Sequence, residues 1–220
     1  MAKGKLIVIE GIDGAGKGTQ VACLAKRIQR GKNVVTVFSF PQYKKPVGRF
    51  IRAALGGQFG DFVSLNAYFS AFPYLIDMLL ARAEIEAALK KGTVLCDRYV
   101  PSTIAYHSAK LKGVKRREFV SFLERFAYGE LGIRKPDAVI YLDMPVKNAR
   151  ALLLADPTKG AKKLDQYEKN ISYQKQVAEV YSVQKRRRPW QTVRCAASGR
   201  TRTVEEIHDA IWRLIRVKIR

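Results

Sequence analysis

Apolar residues along the chain gather in short continuous runs bounded by turn formers, with helical periodicity between them. Leu6-Ile7-Val8-Ile9 is the first run. Val34-Val35-Thr36-Val37-Phe38, Thr93-Val94-Leu95-Cys96, Ala138-Val139-Ile140-Tyr141-Leu142 and Gln191-Thr192-Val193-Arg194 repeat the form. Continuous β-branched runs belong to strands covered on both faces, which indicates a parallel sheet. Parallel neighbours need long crossovers, and the intervening segments are long enough to supply them as helices. The pattern predicts helices at about 16–31, 46–56, 64–91, 101–111, 115–130, 145–155, 165–187 and 203–218. Gly31-Lys32-Asn33 and Lys91-Gly92 are helix stops, and Met144-Pro145 opens the helix after the fourth strand. The expectation is a single α/β domain over residues 1–220: a parallel five-stranded sheet flanked by helices on both faces. An insert at about 156–164, where turn formers alternate with Lys159, Lys162 and Lys163, is expected to form a small lid.

Composition sharpens this in three ways. With 47% hydrophobic residues in 220, the chain has material for one core, and nothing in it signals disorder. No stretch approaches the roughly 18 uninterrupted apolar residues of a membrane span, and no signal-peptide core precedes the first strand, so a cytoplasmic protein is expected. The cysteines Cys23, Cys96 and Cys195 are scattered and lack metal-ligand spacing; they read as buried thiols. The formal net charge of +22 is large enough to attract polyanions. Its basic residues are spread along the chain, with only short clusters at Lys115-Arg116-Arg117 and Lys185-Arg186-Arg187-Arg188. That distribution suits solvated helix faces better than a dedicated nucleic-acid surface. An ATP-binding protein associated with nucleic acid is the alternative of a different class.

The first strand leads into Glu10-Gly11-Ile12-Asp13-Gly14-Ala15-Gly16-Lys17-Gly18-Thr19-Gln20. Gly-x4-Gly-Lys between a strand and a helix is the phosphate loop: glycines let successive backbone N–H groups converge on phosphates, and the helix adds its positive end. Gly11, Asp13, Gly14, Ala15, Gly16, Lys17, Gly18 and Thr19 are therefore candidate ATP-binding residues, with Lys17 on the β- and γ-phosphates. Gly18 stands where Ser or Thr normally meets magnesium, and Thr19 follows.

Farther along, Cys96-Asp97-Arg98-Tyr99-Val100-Pro101-Ser102-Thr103-Ile104-Ala105-Tyr106-His107 is similar to the Asp-Arg-Tyr signature of thymidylate kinases. Phe40-Pro41-Gln42-Tyr43, Tyr141-Leu142-Asp143-Met144-Pro145, Asp165-x-x-Glu168 and Thr203-Val204-Glu205-Glu206-Ile207 extend the resemblance over essentially the whole chain. It implies a nucleoside monophosphate kinase fold and transfer of the γ-phosphoryl group of ATP, with Mg2+, to thymidine 5′-monophosphate. It also implies a homodimer; the apolar stretches of the helix at 64–91 fit either such a contact or burial within the monomer.

By the same resemblance, Lys17, Asp97 and Arg98 are the catalytic set. Asp97 and Thr19 stand near the metal, mostly through water, and Arg98 bridges acceptor phosphate and transferred group. Asp13 takes the sugar 3′-hydroxyl and Tyr74 stacks on the base. Phe40, Ser102, Tyr106 and His107 complete the acceptor pocket, His107 in place of the family's usual glutamine. Two positions depart from the pattern. Met78 replaces an arginine that bonds the base, and Gln42 replaces one that grips the acceptor phosphate. Arg82, one helical turn or about 6 Å beyond Met78, is the expected substitute for the first. Arg49 or Arg52 is the expected substitute for the second. A kinase acting on another monophosphate, or on several, is the alternative these departures keep open.

Overall fold

The computed structural model describes residues 4–157, 164–197, 199–217 and 219. The lid lysines Lys159, Lys162 and Lys163 lie outside the described residues. Five parallel strands, β1 (Leu6–Glu10), β2 (Val35–Ser39), β3 (Thr93–Asp97), β4 (Ala138–Asp143) and β5 (Trp190–Arg194), form one sheet in the order β2-β3-β1-β4-β5. Successive residues of β1 pack into different cores. Ile7 and Ile9 join a cluster with Leu24, Ile28, Val177, Tyr181, Ile211 and Ile215, whereas Leu6 and Val8 join Leu75, Met78, Ile85, Phe119 and Leu123 on the other face. This is why the strand reads as an unbroken apolar run: both faces are covered, and each such side chain contributes about 1.5–3 kcal/mol on burial. The edge strands β2 and β5 are half exposed and carry more polar residues.

The helices are α1 (Lys17–Arg30), α2 (Pro46–Leu55), α3 (Ala67–Lys91), α4 (Val100–Ser108), α5 (Gly113–Arg125), α6 (Val146–Ala155), α7 (Gln166–Lys169), α8 (Ile171–Gln184) and α9 (Val204–Ile215). Three features differ from the sequence expectation. The helix expected over 165–187 is two helices, because Asp165 and Glu168 close a capping box on α7 and Asn170 then starts α8 by accepting from the Tyr173 N–H. The helix expected over 115–130 begins at Gly113, and its last turn, Phe126–Glu130, widens to π geometry. A two-stranded antiparallel pair, β6 (Ala196–Ala197) and β7 (Arg200–Thr201), precedes α9. Cys96 and Cys195 are buried, but Cys23, on α1, is only half-buried. No described helix is long and apolar enough to cross a membrane.

Candidate active site

Three strand ends are stitched together at the C-terminal edge of the sheet, where open α/β sheets bind ligands. β1 runs into the phosphate loop. The N–H of Arg98, just after β3, donates to Ile9 O at 3.1 Å, and the N–H of Phe40, just after β2, donates to Asp97 O at 3.0 Å. The parallel register pairs Ile9 with Asp97, so phosphate loop and Asp-Arg-Tyr turn are neighbours.

The loop has the backbone that its glycines permit. Gly14 and Gly16 sit at φ 81° and 83°, and a Cβ on Gly14 would lie 2.2 Å from Ala149 O. Lys17 is buried and donates from Nζ to Ile12 O at 2.8 Å, curling back over the loop. Burial, and then the neighbouring Arg98 charge, bring its ammonium pKa down to about 8. A Cβ on Gly18 would stand 3.3 Å from Asp97 Oδ2, so the glycine leaves room for that carboxylate. Asp97 Oδ1 is buried without a partner among the described residues. Thr19, next to Gly18 in sequence, is exposed and lines a second hollow with Gly14, Ala15, Gly16, Leu152, Arg202 and Val204, which Thr201 of β7 also borders.

Arg98 adopts a left-handed backbone, φ 65°, which costs a non-glycine residue about 1–2 kcal/mol. The turn is held from β1. Glu10, wholly buried, accepts from the N–H groups of Tyr99 (3.0 Å) and Ser102 (3.1 Å), from Ser102 Oγ (2.5 Å) and from Tyr181 Oη (2.8 Å). Burial raises the pKa of Glu10, and these donors and the nearby cations oppose the rise. The Arg98 guanidinium forms an ion pair with Asp13 and also donates to Ser102 Oγ at 3.2 Å. Asp13 further accepts from Tyr106 Oη (2.7 Å) and Gln174 Nε2 (2.8 Å). Despite its burial, this company holds the Asp13 carboxyl below its usual range.

Beside this network opens a cleft of about 470 Å³. Asp13, Phe40, Tyr74, Met78, Arg98, Ser102, Tyr106 and His107 line it, bringing together most of the acceptor residues expected from sequence. Tyr43, Thr103, Asp165 and Tyr167 line it as well. Thr103 is buried, and its Oγ1 has no partner among the described residues. Sequence reading passed over it, although it shares a helix face with His107 one turn on. Gln174 was missed for want of any local motif.

Arg82 is a correction. Its guanidinium donates to Leu131 O at 2.9 Å and lines no part of the cleft. One turn past Met78 the helix has left the cleft, and the carbonyl ending the π turn captures the side chain. Gln42 is pinned to α3, its N–H donating to Asp77 Oδ2 at 2.7 Å. Arg52 lies over the Tyr43 ring at 4.6 Å, at the rim near Asp165 and Lys169, whereas Arg49 is exposed and bonded to Lys44 O. Arg150, absent from the expected set, reaches Glu168 O at 2.7 Å in a hollow bordered by Ile12 and Asp13.

This geometry has close relatives. The thymidylate kinase family model matches residues 9–211. A thymidylate kinase of Rhodopseudomonas palustris (strain TIE-1) is 32% identical over 220 residues, covering 99% of this chain and 90% of the relative. One from Mycobacterium tuberculosis is 31% identical over 183 residues, covering 80% and 84%. The solved thymidylate kinase of Candida albicans superposes with a TM-score of 0.77 at 20% identity, over 99% of this chain and 93% of that one, so the fold is shared. The chain belongs to the thymidylate kinase family.

Proposed function

We propose that the cleft and the phosphate loop described above are where this chain carries out its family's reaction, transfer of the γ-phosphoryl group of ATP to dTMP giving dTDP and ADP. The observation that carries this reading is the position of Arg98. Its guanidinium stands between the loop, through Asp13 and Gly11 O, and the cleft, through Ser102 and the Tyr106 ring 5.1 Å away. A single cation that reaches both sides neutralises charge on acceptor phosphate and transferred group together, which is most of what phosphoryl transfer asks of a protein.

ATP phosphates lie on the loop, where they draw Lys17 away from Ile12 O. Thymine lies among Phe40, Tyr74, Met78, Thr103 and His107, and the sugar hydroxyl lies at Asp13 and Tyr106. Arg52 waits at the rim for the acceptor phosphate. The reacting groups need only be positioned and screened from water; no residue is assigned as a general base.

The donors present fit Mg2+. Among the described residues no group of three His, Cys, Asp or Glu side chains converges to hold a metal unaided. The orphaned Asp97 Oδ1, beside the loop, suits an ion that keeps waters and takes other ligands from phosphates. When bound, such an ion screens the negative charge that builds on the β- and γ-phosphates.

The partner we propose is a second copy of the chain. On α3 and the turn before it, Leu65, Phe69, Ile76 and Leu80 are exposed at 47, 77, 42 and 61%. They recur at helical spacing and form one apolar stripe, which an isolated monomer would leave against water.

The role assignments are tested by steady-state kinetics on Arg98→Ala and Asp97→Asn with ATP·Mg2+ and dTMP. Losses in kcat of roughly 100-fold or more are expected from each. Wild-type kcat in either variant removes that residue from the catalytic set.

A further inference from the structure

His107 is buried, and one of its ring nitrogens, Nε2, has no partner among the described residues although the residue lines the acceptor cleft. What that atom can recognise depends on which nitrogen carries the hydrogen. The surrounding hydrogen bonds decide this.

The other nitrogen, Nδ1, lies 2.9 Å from Ser70 Oγ on α3. That hydroxyl has three further neighbours: Asn66 O at 2.9 Å, Ala67 O at 3.3 Å and Lys110 Nζ at 2.8 Å. A hydroxyl has one hydrogen to give and two lone pairs to offer. Lys110 can only donate, and it donates also to Phe62 O (3.3 Å) and Leu65 O (3.0 Å). The carbonyls of Asn66 and Ala67 can only accept, so the Ser70 hydrogen points to them. Lys110 takes one lone pair. The remaining lone pair faces Nδ1, which must then bear the ring hydrogen. Were the hydroxyl hydrogen given to Nδ1 instead, Ser70 Oγ and Asn66 O would face each other at 2.9 Å with no hydrogen between them.

Burial and the Lys110 charge hold the His107 pKa well below its ordinary value, so the ring is neutral and has one hydrogen to place. Nε2 is left as a bare acceptor.

We infer that His107 Nε2 selects bases carrying a ring N–H, held in that acceptor tautomer by Asn66, Ser70 and Lys110. Thymine and uracil bring N3–H to such an atom. Cytosine brings a lone pair to the same place and is repelled. Thr103 Oγ1, one turn earlier on α4 and also unpartnered, supplies a hydroxyl for the carbonyl next to N3. Met78, which has no donor, does not compete for that edge. Selection at the base thus passes from an arginine reading a carbonyl to a histidine reading the imide hydrogen. The inference rests on the base lying in this cleft.

Two experiments test it. The chain has two histidines, so side-chain 15N NMR of the free protein resolves them, with His107→Leu giving the assignment. Nδ1 is expected at the hydrogen-bearing shift and Nε2 at the bare-nitrogen shift; the reverse overturns the inference. The second compares kcat/KM for dUMP and 3-deaza-dUMP, in which C3–H replaces N3–H and the neighbouring O4 becomes a hydroxyl. Wild type should prefer dUMP by about 10- to 100-fold, because the deaza base leaves Nε2 buried and unpaired. The preference should fall about tenfold or more in His107→Leu, where only the O4 difference remains, and fall less in Ser70→Ala. Equal use of both by wild type overturns the His107 role alone, provided Tyr74→Ala raises KM for the monophosphate. If Tyr74→Ala leaves that KM unchanged, the base lies elsewhere and the placement itself fails.

Discussion

Glu10, the last residue of β1, and Ser102, in the first turn of α4, are joined twice: Ser102 donates to the carboxylate from its N–H at 3.1 Å and from its hydroxyl at 2.5 Å. The pair welds the phosphate-loop strand to the helix that follows Arg98. Through it the strained left-handed turn at Arg98 is kept in place. Glu10→Ala would leave the Tyr99 N–H and the hydroxyls of Ser102 and Tyr181 without this acceptor, while the Ser102 N–H would keep only Tyr99 O at 2.9 Å. We expect a loss of roughly 2–5 kcal/mol in denaturant unfolding, together with a fall in kcat. Unchanged stability would show that water replaces the carboxylate and that the weld is dispensable.

Two glycines of the loop separate crowding from backbone conformation. Gly14 and Gly16 share φ near 80°, but a Cβ meets Ala149 O at 2.2 Å on Gly14 and no atom of the described residues within 4 Å on Gly16. Gly16→Ala should cost about 1 kcal/mol, the penalty for a left-handed alanine. Gly14→Ala should cost roughly 3 kcal/mol or more, since α6 must also move. Equal costs, measured by urea unfolding, would contradict the close approach of loop and α6.

Lys17 gives a pH dependence with a definite sign. Its folded pKa, about 8, lies below the ordinary 10.5. Its contribution to stability is therefore complete only above the unfolded value and is lost as pH falls through about 8, so at pH 7 the buried ammonium destabilises the empty protein. Lys17→Met should melt higher than wild type at pH 7 without nucleotide, gain little at pH 10, and be inactive. For wild type, kcat/KM for ATP should fall as pH rises through about 8, whereas the limb in kcat should lie higher because bound phosphates favour the ammonium. A limb at the same pH in both profiles would contradict this.

The α3 stripe predicts assembly. Phe69→Glu, at the most exposed of the apolar positions, should convert a sedimenting dimer to monomer with the fold intact by circular dichroism. A wild-type monomer at micromolar concentration, or a dimer that survives the change, would contradict the second-copy proposal.

The sheet was legible because β1, β3 and β4 are covered on both faces and had to be continuously apolar. The loop and Asp97-Arg98 were legible because adjacent residues form each motif. The base pocket was less so, because it is assembled from α3, α4 and α7 by tertiary packing. Arg82 shows the limit: helical spacing puts it on the face of Met78, but only the position of Leu131 O decides where the guanidinium goes. Thr103 and Ser70 carried no signal as isolated hydroxyls; folding puts Ser70 Oγ 2.9 Å from His107 Nδ1 and Thr103 in the lining of the cleft. The β6–β7 pair, two residues per strand, is too short to leave a periodic trace.

The measurement that bears most directly on the account is ADP release from ATP·Mg2+ with dTMP, dUMP, dCMP, AMP and GMP, for wild type and Arg98→Ala. dTMP should be turned over, dUMP accepted and dCMP far poorer, and all turnover should collapse in the variant. Turnover of dCMP equal to that of dTMP, or dTMP activity that survives loss of Arg98, would contradict it.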